Sequence, residues 1–280
     1  MANPANNPLF KHFRQPAIYL RLPSKGRFYP DHALDMPTVG EIPIYPMTVK
    51  DEITLKTPDA LMNGQGMVDV VSSCCPNIKD PWLMPAVDID AVFIAIRLAS
   101  FGPGMDITST CPHCKSSNEY TVNLQTLLDN IKVVDYTATK TIDQLHINFR
   151  PQKYTDINKA NLINFEEQRL VTSILNNENL SDAEKTAQFT TSFNKLKNMN
   201  VNSVAVCIDT ITTDDGVVVS DQLMIVEFLN NCSRGVYDFI KTSITELVDE
   251  NKMDPLTVEC ESCNKAYKNN LTFDQSNFFG

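Results

Sequence analysis

Apolar residues return along this chain at two different periods. From Tyr154 onward, Ile157, Leu162, Phe165, Leu170, Ile174 and Leu175 recur at roughly one helical turn, the signature of amphipathic helix. Ser181 followed by Glu184 is a capping box and predicts a further helix running through Lys197. Gln222–Cys232 and Val236–Val248 continue the helical pattern, joined near Gly235, so the stretch from Tyr154 to Lys252 is expected to be helical. Residues 48–101 read as helix too. Thr48 and Asp51 make a start resembling a capping box, and Pro58 with the Gly64/Gly66 pair breaks the segment. Val68, Val70 and Val71 lead on to Cys74 and Cys75. The run AVFIAIRLASF is apolar nearly all round, which predicts a buried central helix with Asp88 or Asp90 as its cap and Gly102 as its end.

Elsewhere the period drops to two. Residues 105–124 alternate as two short strands around a CPHC turn, and Gln144–Arg150 is another strand. Asp214–Asp215–Gly216 forms a turn before a short Val217–Val219 strand, and Pro255–Phe273 returns to strand–CESC–strand. Residues 1–47 are dense in proline, which removes amide donors and blocks helix interiors. They are expected to form an extended arm with short strands at Ala17–Leu22 and Glu41–Tyr45. Phe10, Phe13, Ile18, Tyr19, Leu20, Leu22, Phe28 and Tyr29 lie in it, each contributing roughly 1.5–3 kcal/mol if buried, so the arm should pack on its own body or on a partner.

The expected class is α+β: a mainly helical body, a small zinc-ribbon β-element and an extended N-terminal arm. The boundaries are 1–47 for the arm, 48–104 for a helical N-terminal region and 105–135 for the first ribbon half. A helical insertion over 136–254 and the second ribbon half over 255–280 complete it.

Composition narrows the function. Hydrophobic residues make up 42% of the 280, enough for a real core. The net charge of −10 repels phosphate backbones and disfavours general nucleic-acid binding. The arm is the exception in sign: it carries Lys11, Arg14, Arg21, Lys25 and Arg27, with no acid before Asp31. The N-terminus lacks a signal-peptide core, and no apolar run approaches the roughly 18 residues of a membrane span. The chain is therefore expected to be made and kept in a cytosol, where eight cysteines are not a disulfide framework.

Two CxxC pairs carry the chemistry: Cys111-Pro-His-Cys114 and Cys260-Glu-Ser-Cys263, each between short strands. A CxxC turn aims two thiolates at one point, and two such turns complete a tetrahedral four-sulfur site with Zn–S distances of about 2.3 Å. The long loop between them is tolerable because closure entropy grows only logarithmically with length. Zinc held by Cys111, Cys114, Cys260 and Cys263 is the expectation. Iron in the same tetrahedron, two separate redox pairs, and plain cysteines are the alternatives. Four thiolates leave no open position, so the site is expected to be structural. Cys74, Cys75, Cys207 and Cys232 read as core residues. His113 reads as a surface residue of its knuckle, and His146 as a strand residue. No nucleophile–base setting, phosphate-binding glycine motif or acid/base carboxylate spacing stands out, so no catalytic residue is assigned.

Three blocks then carry a resemblance: YLRLPSKGRFYP (19–30), GEIPIYPMTVKDEITLKTPDALMNGQGMVDVVSSC (40–74) and IAIRLASFGPGMDITSTCPHC (94–114). In this order they resemble the T-four-type phage baseplate family, described as baseplate hub subunits or hub assembly chaperones. The likeness is strongest over 17–125, weaker over 150–250, and resumes loosely at the CESC end. It implies a non-enzymatic part in building the central hub of a contractile tail, with other hub or wedge proteins as partners. The setting would be the host cytoplasm during assembly and the tail baseplate. Two other readings stay open. One is a zinc-ribbon nucleic-acid-binding or transcription factor, supported locally by Lys115, Lys265 and Lys268. The other is a tail-associated cell-wall hydrolase.

Overall fold

The computed structural model describes residues 8–57, 64–177, 180–269 and 278. It divides into two units: residues 1–81, 88–131 and 253–280, and residues 82–87 with 132–252. The fold is α+β, as the two periods imply. Pro58 and residues 270–273 of the last expected strand lie outside the described residues.

In the first unit, β1 (Ile18–Leu20) pairs antiparallel with β2 (Ile42–Ile44), with Leu20 opposite Ile42 and Ile18 opposite Ile44. Leu20, Ile42 and Ile44 are all buried. Helix α1 (Val49–Leu55) opens on a full capping box: Thr48 Oγ1 accepts from Asp51 N, and the Asp51 carboxylate accepts from Thr48 N at 2.7 Å. Helix α2 (Gln65–Cys74) starts after Gly64, whose φ of 76° is the left-handed conformation glycine adopts without strain. Helix α3 (Ala86–Phe101) buries Val92, Ile94, Ala95 and Ile96 completely, as a helix apolar on most faces must. Gly102, at φ 83°, follows its end.

Asp88 and Asp90 do not cap α3. The helix begins at Ala86, which puts both inside it. Asp88 is buried and receives hydrogen bonds from Ser24 and Tyr29 instead. The unit continues with β3 (Gly104–Thr110), β4 (Ser117–Asn123) and α4 (Leu124–Asp129), a short helix that the strand pattern did not announce. Asn123 caps it by accepting from Gln125 N and Thr126 N. The pair β9 (Leu256–Glu259) and β10 (Ala266–Asn269) belongs to the same unit.

The second unit is built on a four-stranded antiparallel sheet in the order β5-β6-β7-β8: Lys140–Ile142, Leu145–Phe149, Ile208–Thr213 and Val218–Val219. β7 lies inside the stretch expected to be helical. Its Ile-Asp-Thr-Ile-Thr-Thr sequence is rich in β-branched residues, and pairing with β6 decides it. Between β6 and β7 the chain makes two long helices, α5 (Tyr154–Asn176) and α6 (Asp182–Ala205). Ser181 and Glu184 form the capping box of α6. Glu167 of α5 is buried between Ser192 Oγ at 2.6 Å and Lys195 Nζ at 2.7 Å, both from α6. Helices α7 (Gln222–Asn231) and α8 (Arg234–Asn251) follow, capped by Asp221 and Ser233. They meet at Cys232–Ser233, and Gly235 falls within the first turn of α8.

Candidate metal centre

The first knuckle joins β3 to β4, and the second joins β9 to β10. Both turn in the same way. Cys111 N donates to Ser116 O and Lys115 N to Cys111 O; Cys260 N donates to Lys265 O and Asn264 N to Cys260 O. Lys115 at φ 64° and Asn264 at φ 54° take the left-handed residue of each turn. This backbone turns the two sulfurs of each pair to one side.

The four sulfurs of Cys111, Cys114, Cys260 and Cys263 lie within 4.8 Å of one another, although the pairs stand far apart in sequence. Cys111 Sγ is 3.8 Å from Cys263 Sγ, and Cys114 Sγ is 3.5 Å from Cys260 Sγ. Cys111 and Cys260 have no exposed surface, and they pack with buried Tyr267 against Tyr120, Val258 and Cys263. Such a group can hold a metal ion.

The acid–base character of the cluster is divided: Cys263 is pushed up to about 12, its backbone hydrogen bond with Lys265 outweighed by burial and the neighbouring sulfurs, while two other thiols are lowered. Ser116 Oγ is 2.9 Å from Cys114 Sγ and 3.3 Å from Cys260 Sγ. Its hydrogen bonds favour the thiolates, lowering Cys114 and bringing Cys260 down to about 5. Four sulfurs at this separation cannot all ionise without a counter-charge, and a cation among them supplies one. Among the cysteines outside the cluster every shift is upward. Burial pushes Cys74 up to about 11 and Cys207 to about 12, and raises Cys75 and Cys232. Cys74, Cys75 and Cys207 are buried, as core thiols should be, whereas Cys232 is only half-buried; with raised values all four are poor ligands and poor nucleophiles.

Other residues weighed from the sequence lie outside the cluster. His113 is exposed on the first knuckle. His146 lies in β6, 3.0 Å from Thr141 Oγ1 and 3.7 Å from Asp214. Lys115, Lys265 and Lys268 are exposed.

Sequence reasoning did not reach the side chains that tie the two hairpins together. Asn118 is buried, donates to Ser116 O at 3.1 Å and accepts from Glu261 N at 3.0 Å. Tyr120 Oη is 3.1 Å from Glu259 O and 3.1 Å from Tyr267 Oη, which in turn donates to Ser109 Oγ at 3.2 Å. The alternation of Ser117–Asn123 places Asn118 and Tyr120 on one face. That signal was available, but nothing in it names the partners.

Among the described residues, no helix is long and apolar enough to cross a membrane. No curated protein and no solved structure matches the chain. The family described as T4 bacteriophage base plate protein matches residues 18–280, nearly the whole chain, and the chain belongs to that family.

Proposed function

We propose that this protein is a non-enzymatic structural or chaperone component in assembly of the central hub of a contractile phage tail baseplate, stabilised by one structural zinc. The family match over residues 18–280 carries the reading, because it spans both CxxC pairs and everything between them. Membership makes other baseplate proteins the expected partners and the virion tail baseplate the expected place. Assembly in the host cytoplasm is part of the proposal.

Zinc held by Cys111, Cys114, Cys260 and Cys263 is supported by the convergence of four sulfurs and by the hydrogen bonds that favour thiolates. Such a metal supplies folding free energy, since its ligands are gathered only in the folded chain. The chain then reads as an arm over 1–47 and a helical region over 48–104. Ribbon halves over 105–135 and 255–280 flank an insertion over 136–254.

Elemental analysis of protein prepared without chelator should find about one zinc per chain, and less than about 0.2 would sink the metal reading. Cys260→Ser should abolish most of that zinc and open residues 255–280 to protease. For the role itself, infection with phage lacking this protein should yield tails without assembled hubs. Mass spectrometry of purified virions then tells a resident subunit from a chaperone that leaves. Normal hubs in its absence would refute both. A salt-sensitive gel shift, or clearing of purified peptidoglycan, would favour the nucleic-acid or hydrolase alternative.

A further inference from the structure

The two knuckles correspond turn for turn. Asn118 and Tyr267 each stand four residues beyond the second cysteine of their knuckle, and each is buried. Each also reaches into the opposite hairpin. The Asn118 amide oxygen accepts from Glu261 N, inside the second knuckle, while the Tyr267 hydroxyl donates to Ser109 of β3. Ser109 is itself the cross-strand partner of Asn118, so the two contacts share one point. Tyr120 closes the outer side against the Glu259 carbonyl. The result is a reciprocal clasp between segments distant in sequence, made entirely of protein groups.

Asn118 is the member nearest the sulfurs. Its NH2 group holds Ser116 O, the same carbonyl that accepts from Cys111 N and so sets the first knuckle. Its oxygen fixes the amide just after Cys260 in the second. One buried side chain thus bridges both turns, and both ends of the amide are satisfied. Buried amides left without partners are costly, so the arrangement resists sliding of one hairpin on the other.

We propose that Asn118 is a positioning residue for the metal centre: its amide registers the second knuckle against the first, so that the four sulfurs converge before any metal arrives. This rests on the metal reading above. Pre-organisation of this kind raises affinity by removing the ordering cost from the binding step, and partners outside the ligand set commonly change metal affinity by about 10–100-fold.

The test compares wild type with Asn118→Ala in the full chain. Zinc affinity is measured by competition with a chromophoric chelator, and the cobalt-substituted spectrum reports ligand geometry. Asn118→Ala should bind zinc about 10–100-fold more weakly and show altered cobalt ligand-field bands, while the amides of β6 and β7 keep their exchange protection. Affinity within about twofold of wild type, with the same cobalt spectrum, would overturn the proposal.

Amide exchange of Glu261 in chelator-treated wild type decides the matter independently, even if the variant does not fold. Exchange at least about tenfold slower than in open chain supports a clasp that stands without metal, and open-chain exchange overturns it. If wild type binds no zinc, the metal reading fails by that result alone, and the Glu261 measurement still decides the clasp.

Discussion

Asp88 has no exposed surface and collects hydrogen bonds from Ser24 N at 2.7 Å, Ser24 Oγ at 2.6 Å and the Tyr29 hydroxyl at 3.0 Å. It closes a tight loop in which Lys25, Gly26 and Phe28 all have positive φ. Glycine suits position 26, where φ is 80°; a Cβ would press on the movable tip of Met36, 2.9 Å away at Cε. Burial pushes the Asp88 carboxyl from 3.8 up to about 6, with the Ser24 and Tyr29 donors pulling the other way. Because the folded value lies above the unfolded one, the native state holds the proton more tightly. The resulting stability is fully present below about pH 4 and is lost as pH rises through about 6. Asp88→Asn keeps the shape without the titration. Local stability of α3, read from amide exchange on metal-free protein, should fall in wild type relative to Asp88→Asn by roughly 3 kcal/mol between acid and neutral pH. A difference that does not change with pH would mean that Asp88 titrates like an exposed carboxyl.

At the scale of elements, the arm divides at Arg14. Its guanidinium donates to Pro46 O, to Ser73 O at 2.8 Å and to Ser73 Oγ at 2.7 Å, and lies 3.4 Å from the Asp51 carboxylate. Residues from Arg14 to Leu20 are thereby fastened to the first unit, while Leu9, Phe10 and Phe13 remain exposed ahead of it, the two rings 5.4 Å apart. Deleting residues 2–13 should leave the fold intact and weaken association with baseplate proteins. Deleting 2–16 should also destabilise the first unit, by about 1–3 kcal/mol, since the buried Asp51 loses its cation. Thermal unfolding of the two truncations checks this, and equal midpoints would show that the Arg14 contacts contribute nothing.

These elements also show what could be read in advance. The knuckle hairpins were legible because alternation and CxxC spacing are both local. β7 was not, because Ile208–Thr213 follows α6 closely and its β-branched run lacks a clean alternation, so pairing with β6 decides it. Asp88 looked like a helix cap because a polar residue before an apolar run is the local signal, while its real partners lie more than fifty residues away. Arg14 stands in the sequence only as one of the arm's five positive charges, because its partners too are distant in the chain.

For the whole molecule, the candidate metal site belongs to one unit. The chain gives residues 82–87 to the second unit, leaves the first again at residue 131, completes the second over residues 132–252, and returns to place Cys260 and Cys263 beside Cys111 and Cys114. None of the four clustered cysteines lies in the second unit, whose sheet and helices have their own buried set, including Ile147, Ile208, Ile225 and Ile240. A metal there should therefore act as a local clamp on the returning strands and leave the second unit's internal stability alone. Chelation should speed amide exchange in β3, β4, β9 and β10, though not to open-chain rates, because Asn118, Tyr120 and Tyr267 still join the hairpins. Exchange in β6, β7 and α6 should stay as it was. Hydrogen-exchange mass spectrometry with and without chelator resolves the two sets of peptides. An equal rise in both would mean that the metal governs the fold of the entire chain, and the picture of a clamp confined to the first unit would have to be abandoned.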